Sequence, residues 1–270
     1  MANITQAYYK MFILDELADK KTAIHRINPV AKIIVTLIYL LFVVSYNKYD
    51  IIGLMPLFFY PVIIMSVGDI PFKPMLAGLI IAAPLVIGVG IFNPLLDRTI
   101  VSTVSGIGIS AGMLSFMALL VKCCLTVLAA LLLLATTGMN KIAAAMQSLH
   151  IPQIFIMQLL LTYRYISVLM GETARVYHAY TLRAPHQKGV SSKVWGSLIG
   201  LLLLRTYDRA SRLYQAMKLR GFENQFFGIN LDKLEKKDII YLLGWTTFFI
   251  IVRFINIPML FGVLVTGVIK

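Results

Sequence analysis

Two arginines stand out by what surrounds them. Residues 175–184 read RVYHAYTLRA and residues 212–221 read RLYQAMKLRG, so one pattern (Arg, aliphatic, Tyr, x, Ala, x, x, Leu, Arg, small) occurs twice without a gap. A single repeat pair is too short for a solenoid. Each copy meets a helix-stop signal, Ala184 followed by Pro185 in the first and Gly221 in the second. Arg183 and Arg220 therefore fall in a last helical turn, where free carbonyls carry partial negative charge and favour a cation. That accounts for either arginine alone. It leaves unexplained why Tyr177, Ala179 and Leu182 recur in register as Tyr214, Ala216 and Leu219. Two alike helix ends predict two alike docking points, as a single chain needs when it binds both halves of a symmetric dimer. A guanidinium at such a tip can enter a groove and pair bidentately with a carboxylate.

The other residues with chemical potential point elsewhere. The chain has no G-x-x-x-x-G-K-[ST] loop, so ATP binding by this chain is not expected. His25, His150, His178 and His186 share no ligand spacing, and no metal site is expected. Only twelve acidic residues are present, widely scattered, which argues against a membrane-embedded enzyme. Cys123 and Cys124 are adjacent in an apolar run and read as small core residues. Lys122 and Arg253 also lie in apolar runs, where an ionisable group is a functional candidate, although pairing or snorkelling is commoner. Glu172 precedes Arg175 by one helical turn and predicts an intrahelical pair; Asp208 is placed to pair with Arg205 or Arg212.

The elements that carry these residues are mostly apolar. The 270 residues are 59% hydrophobic and 14% charged, against about 25% charged in soluble domains. The apolar residues gather in long runs, which is what a bilayer requires. Spans are predicted at 30–46, where Lys32 can snorkel, at 51–67 with a kink at Pro56 and Pro61, at 75–92, and at 106–137. The last of these exceeds the roughly 20 residues needed to cross, so it is tilted, broken or preceded by an interfacial turn. Residues 1–29 read as an amphipathic surface segment without a cleavable signal. A C-terminal transmembrane segment occupies 239–270, interrupted by Arg253, Asn256 and Pro258, which makes five or six helices in all.

Between these lies 138–238, with over half of the 25 lysines and arginines. By the positive-inside rule this stretch is cytoplasmic, as is the basic N-terminus. The formal net charge of +13 is thereby explained without nucleic acid, for which no stacking motif is present. The run 151–171 is apolar enough to lie against membrane or other spans. In 201–220, Leu203, Tyr207, Ala210, Tyr214 and Met217 form one helical stripe, and Arg205, Arg209 and Arg212 form a second row. The fold class expected is all-α: a polytopic membrane protein with long amphipathic cytoplasmic helices.

At this point the chain resembles the transmembrane T components of energy-coupling-factor importers, most closely the cobalt-transport permease Q family. The stretches that carry the resemblance are HRINPVAK (25–32), LLLLATTGMNKIAAAMQSLHIP ending at Pro152, LTYRY (161–165) and RTYDRASRLYQAMKLRGF (205–222). In that family two coupling helices end in an arginine flanked by small or apolar residues. The resemblance places these motifs at Leu182-Arg183-Ala184 and Leu219-Arg220-Gly221; many members have Ala where both copies here have Leu. It implies two ABC ATPase subunits that hold ATP and magnesium, and a separate membrane S component that captures cargo. It also implies a coupling face including Tyr177, Ala179, Leu203, Tyr207, Tyr214, Ala216 and Met217, and location in a prokaryotic plasma (inner) membrane. The cargo implied is cobalt or nickel, with vitamin-binding S components as the alternative. A self-contained secondary transporter is the reading from another class. It should carry repeated spans and charges near the membrane centre, whereas the clear repeat here lies in the basic stretch.

Overall fold

The computed structural model describes residues 15–97, 100–104, 107–184, 189–222 and 234–254. Residues 1–14 of the N-terminal segment, Pro185, His186 and the C-terminal stretch from 255 onward lie outside them. The described chain forms two compact units, one of residues 15–145 with 234–254 and one of 146–184 with 189–222.

In the first unit α1 spans Pro29–Ser45. Asn28 caps it by accepting the Val30 N–H at 2.9 Å, and Pro29 supplies a preset φ at the first helical position. The predicted kinked second span is a change of helix type: a 3₁₀ segment, Ile52–Phe58, runs into α2, Phe59–Gly68. Pro61 has no N–H to offer the Leu57 carbonyl four residues back, and the Tyr39 hydroxyl of α1 donates to that carbonyl at 3.2 Å. Asp69, left-handed at φ 50°, ends the helix. Helices α3 (Phe72–Gly90) and α4 (Phe92–Leu96) follow.

A short antiparallel ribbon, β1 (Ile100–Val104) with β2 (Ile107–Ser110), then pairs Ile100 with Ser110 and Val104 with Ile107. The architecture is all-α as expected, and the second strand of this ribbon occupies the beginning of the over-long fourth span. The helix proper, α5, is an unbroken 27 residues, Ala111–Thr137, capped by Ser110 and terminated at Gly138. Helix α6 (Met139–Ser148) follows it, its last three residues belonging to the second unit, and α9 (Lys236–Phe254) completes the first.

The core lies where α1, α2, α5 and α9 meet. Tyr39, Leu54, Leu57, Leu125, Leu132 and Phe249 are fully buried, and Tyr39, Tyr60, Trp245 and Phe249 form an aromatic cluster with centroids 4.6–5.8 Å apart. Apolar side chains such as Leu41, Ile81 and Leu85 face outward, as lipid contact requires. Association of helices in lipid lacks a hydrophobic drive, so tight aromatic packing and buried hydrogen bonds carry it.

Three charged side chains in this unit serve as fittings. Lys32 does not snorkel: it is buried, and its Nζ donates to the Thr136 carbonyl at 2.8 Å, in the last turn of α5. At the other end of α1, Lys122 Nζ donates to the Tyr46 carbonyl at 2.5 Å. Arg253 donates to the Ser45 carbonyl at 3.1 Å and lies over the Tyr46 ring. Helix-end carbonyls without intrahelical partners thus account for both intramembrane cations.

In the second unit α7 spans Gln153–Arg183 and α8 spans Ser192–Leu219. Helix α7 joins the apolar run and the first arginine motif in one 31-residue rod. Among the described residues three stretches are long and apolar enough to cross a membrane, Phe72–Pro94, Ala111–Thr137 and Gln153–Arg183, with two shorter apolar helices at Pro29–Ser45 and Ile52–Gly68. This is a multi-pass membrane protein.

Candidate functional site: the two arginine-tipped helices

Both arginine motifs lie in the second unit and each ends a helix, as their spacing predicts. Arg183 is the last residue of α7, and Arg220 is the C-cap of α8. The two ends are built differently. At α8, Gly221 takes φ 75°, its N–H donates to the Lys218 carbonyl at 3.1 Å, and the Phe222 N–H donates to Met217 at 3.1 Å. This paired closure needs a residue tolerant of positive φ, which glycine supplies. At α7, Ala184 leaves the helix at φ −128° with its N–H on the Tyr180 carbonyl.

The tips are open. Leu182 is 70% exposed and Leu219 is 90% exposed, and Arg183 and Arg220 are exposed beside them. No carboxylate of the described residues lies within 4.0 Å of either guanidinium. A large apolar residue and an exposed cation at each of two helix ends form a surface suited to a groove with an acidic base.

The predicted coupling face divides in two. Leu203, Tyr207 and Ala210 of α8 line a groove of about 460 Å³ against Leu161, Tyr165 and Leu169 of α7. Tyr214 and Ala216 stay exposed, Met217 is half-buried, and no residue of α8 is fully buried. In the first copy Tyr177 is half-buried and Ala179 exposed. The repeated tyrosines therefore do not share one environment, although their register is the same. At the start of α8, the Ser191 N–H donates to the Tyr180 hydroxyl of α7 at 3.3 Å.

The residue that sequence reasoning underrated is Glu172. It pairs with Arg175 within α7, as its spacing predicts. It also accepts from Arg205 of α8 at 2.7 Å and lies 3.7 Å from Arg209. Glu172 is buried (8% exposed), the single carboxylate among three guanidiniums. Arg205 turns to Glu172 rather than to Asp208, which forms no ion pair with Arg205 or Arg212. The available signal was scarcity: between 139 and 222 the chain has only two acidic residues, Glu172 and Asp208, among many arginines.

Among the described residues no group of three or more His, Cys, Asp or Glu gathers closely enough to hold a metal ion. His178 is exposed on α7, and Cys123 and Cys124 are free and half-buried in α5.

A family model described as "CbiQ: Cobalt transport protein" matches residues 20–226, from the lead-in to α1 through both arginine tips. The chain belongs to the CbiQ cobalt transport protein family. Among curated relatives, an uncharacterized protein of Methanocaldococcus jannaschii is 32% identical over 116 residues, 42% of this chain and 40% of the relative. A protein of Lactiplantibacillus plantarum named "Nickel permease LarQ" is 31% identical over 91 residues, 34% of this chain and 33% of the relative. The matched stretches thus span less than half of either relative.

Proposed function

We propose that this chain is the energy-coupling T subunit of an energy-coupling-factor type ABC importer. Its two tips, Leu182-Arg183-Ala184 and Leu219-Arg220-Gly221, dock on two ATPase subunits that bind ATP and magnesium. Helices α7 and α8 pass the movement of those subunits to a separate membrane S component that holds the cargo. The chain itself is non-catalytic. The single observation that carries this reading is the pair of exposed arginine tips closing two helices of one compact unit, with no carboxylate of the described residues within 4.0 Å of either.

Family membership and the name of the nickel permease relative favour a cobalt or nickel ion as cargo. The concentration of Lys and Arg in 138–238 favours a cytoplasmic location for the tips, with the spans in a prokaryotic plasma membrane.

The test is the double variant Arg183→Ala with Arg220→Ala. It should insert normally, lose co-purification of the ATPase pair and abolish ATP-driven cobalt or nickel uptake in proteoliposomes. Uptake at the parent rate by that variant overturns the docking assignment. Ion uptake by this chain alone without ATP points instead to a secondary transporter.

A further inference from the structure

The 37-residue offset that aligns the two arginine motifs, Arg175 with Arg212, also aligns Glu172 with Arg209. Those two aligned residues face each other in the structure, Glu172 Oε2 lying 3.7 Å from Arg209 Nη2. Arg205, one turn earlier on α8, makes the shorter contact at 2.7 Å. The two helices therefore touch at, or one turn from, equivalent positions three residues ahead of the motif copies, and at that point their charges are opposite.

Two consequences follow from helix geometry. First, the aligned contact lies equally far along each helix from the two tips. Arg183 lies eleven residues beyond Glu172, and Arg220 lies eleven beyond Arg209. At 1.5 Å per residue each tip stands about 16 Å from the contact. Second, the charge reversal makes the pairing selective. An α7–α7 contact at this position would oppose two carboxylates, and an α8–α8 contact two guanidiniums, both unfavourable. The three arginines around the site would also repel one another without the carboxylate between them.

We infer that Glu172 is a positioning residue: its carboxylate, held between Arg175, Arg205 and Arg209, fixes where α7 and α8 cross and so sets the spacing of the two tips. This rests on the proposed coupling role, because tip spacing matters only if both tips engage partners together. Glu172 itself touches neither ATPase nor cargo in this scheme.

The experiment measures the spacing directly. Spin labels are placed at His178→Cys and Gln215→Cys, exposed positions in the same register five residues short of the two tips, in a chain whose Cys123 and Cys124 are replaced by serine. Distances are read by pulsed dipolar spectroscopy, both on the chain alone in nanodiscs and on the assembled complex. In the parent, one narrow distance is expected. Glu172→Gln, which keeps the shape and removes the charge, should broaden that distribution and lower ATP-driven uptake at least tenfold. The reversal Glu172→Arg with Arg205→Glu and Arg209→Glu should restore a narrow distance and most of the uptake, which a merely structural lesion would not allow. An unchanged distribution in Glu172→Gln overturns the assignment. So does a broadened distribution with uptake at the parent rate. If the double tip variant keeps its ATPases, the coupling reading fails, while distances on the isolated chain still decide what Glu172 does.

Discussion

Asp238 accepts the backbone N–H of Asn28 at 2.8 Å, although 210 residues separate them. Its second oxygen accepts the Glu235 N–H at 2.9 Å, and the side chain is buried. One carboxylate thus ties the start of α9 to the residue that caps α1, closing the ends of the first unit on each other. Two backbone donors at helix starts are satisfied, where positive partial charge favours an anion.

Replacing Asp238 by alanine should therefore cost about 2 kcal/mol, the range for hydrogen bonds to a charged acceptor plus an orphaned buried N–H. Asp238→Asn keeps one acceptor oxygen and should cost about half as much. Thermal unfolding in detergent, followed by tryptophan fluorescence, reads both. Equal midpoints for parent and Asp238→Ala would remove the staple from the account.

Gly112 marks the tightest backbone approach in this unit. A Cβ there would meet the Asn93 carbonyl at 2.3 Å, the Asp97 carbonyl at 2.6 Å and the Pro94 Cα at 2.7 Å, all main-chain atoms that cannot rotate away. The Gly112 N–H donates to the Asp97 carbonyl at 3.1 Å, fixing the end of α4 against the first turn of α5. Gly112→Ala should destabilise by about 1–3 kcal/mol, as overpacking does. Gly200→Ala, in mid-α8 with open space at the Cβ position, should stabilise by about 0.5–1 kcal/mol through helix propensity. A chemical-denaturation comparison in mixed micelles checks both signs, and a neutral Gly112→Ala contradicts the packing argument.

How far the sequence discloses this molecule follows from the range of each interaction. Helix ends at Arg183 and Arg220 and the Glu172–Arg175 pair are local, decided within one or two turns, and they are legible. The partner of Glu172 on α8 lies 33 residues away and depends on where two helices cross, which no periodicity encodes. Lys32 illustrates the opposite error. A lysine near a helix start ordinarily snorkels, but the free carbonyl of Thr136 at the end of α5, 104 residues distant, draws it inward. Pro56 and Pro61 announce an irregular second span. The hydroxyl that relieves it, from Tyr39, comes from another helix and emerges only in the packed unit.

His25 gives the first unit a pH dependence. It is buried beside α1, with Nδ1 2.7 Å from the Thr22 hydroxyl. Burial first, then the charge of Lys32, holds its imidazole below the ordinary 6.5, and the carbonyls of Ala135 and Leu17 only partly oppose this. Because the folded value is lowered, the unfolded chain takes up a proton near pH 6.5 that the folded chain refuses. Stability should be full above that pH and fall as pH drops through 6.5, with a slope of at most one proton, flattening below the folded value. His25→Gln should remove this slope. Unfolding midpoints between pH 5 and 8 decide it, and an identical slope in the variant assigns the effect to another group.

The leucines at the tips separate docking from folding. Leu182 is 70% exposed and Leu219 is 90% exposed, so neither supports the fold, and truncation of exposed side chains usually changes stability by less than 0.5 kcal/mol. Under the proposed function each leucine enters an ATPase groove beside its arginine. There, loss of most of an apolar side chain costs about 1.5–3 kcal/mol, roughly tenfold or more in affinity per tip. Leu182→Ala with Leu219→Ala should therefore leave the melting midpoint unchanged and weaken binding of the ATPase pair by about a hundredfold, measured by titration of the reconstituted chain. The single variants should each show about the square root of that loss, since the two tips are separate and their contributions add. Parent affinity in the double variant, with both arginines intact, confines the contact to the guanidiniums and excludes the leucines from it.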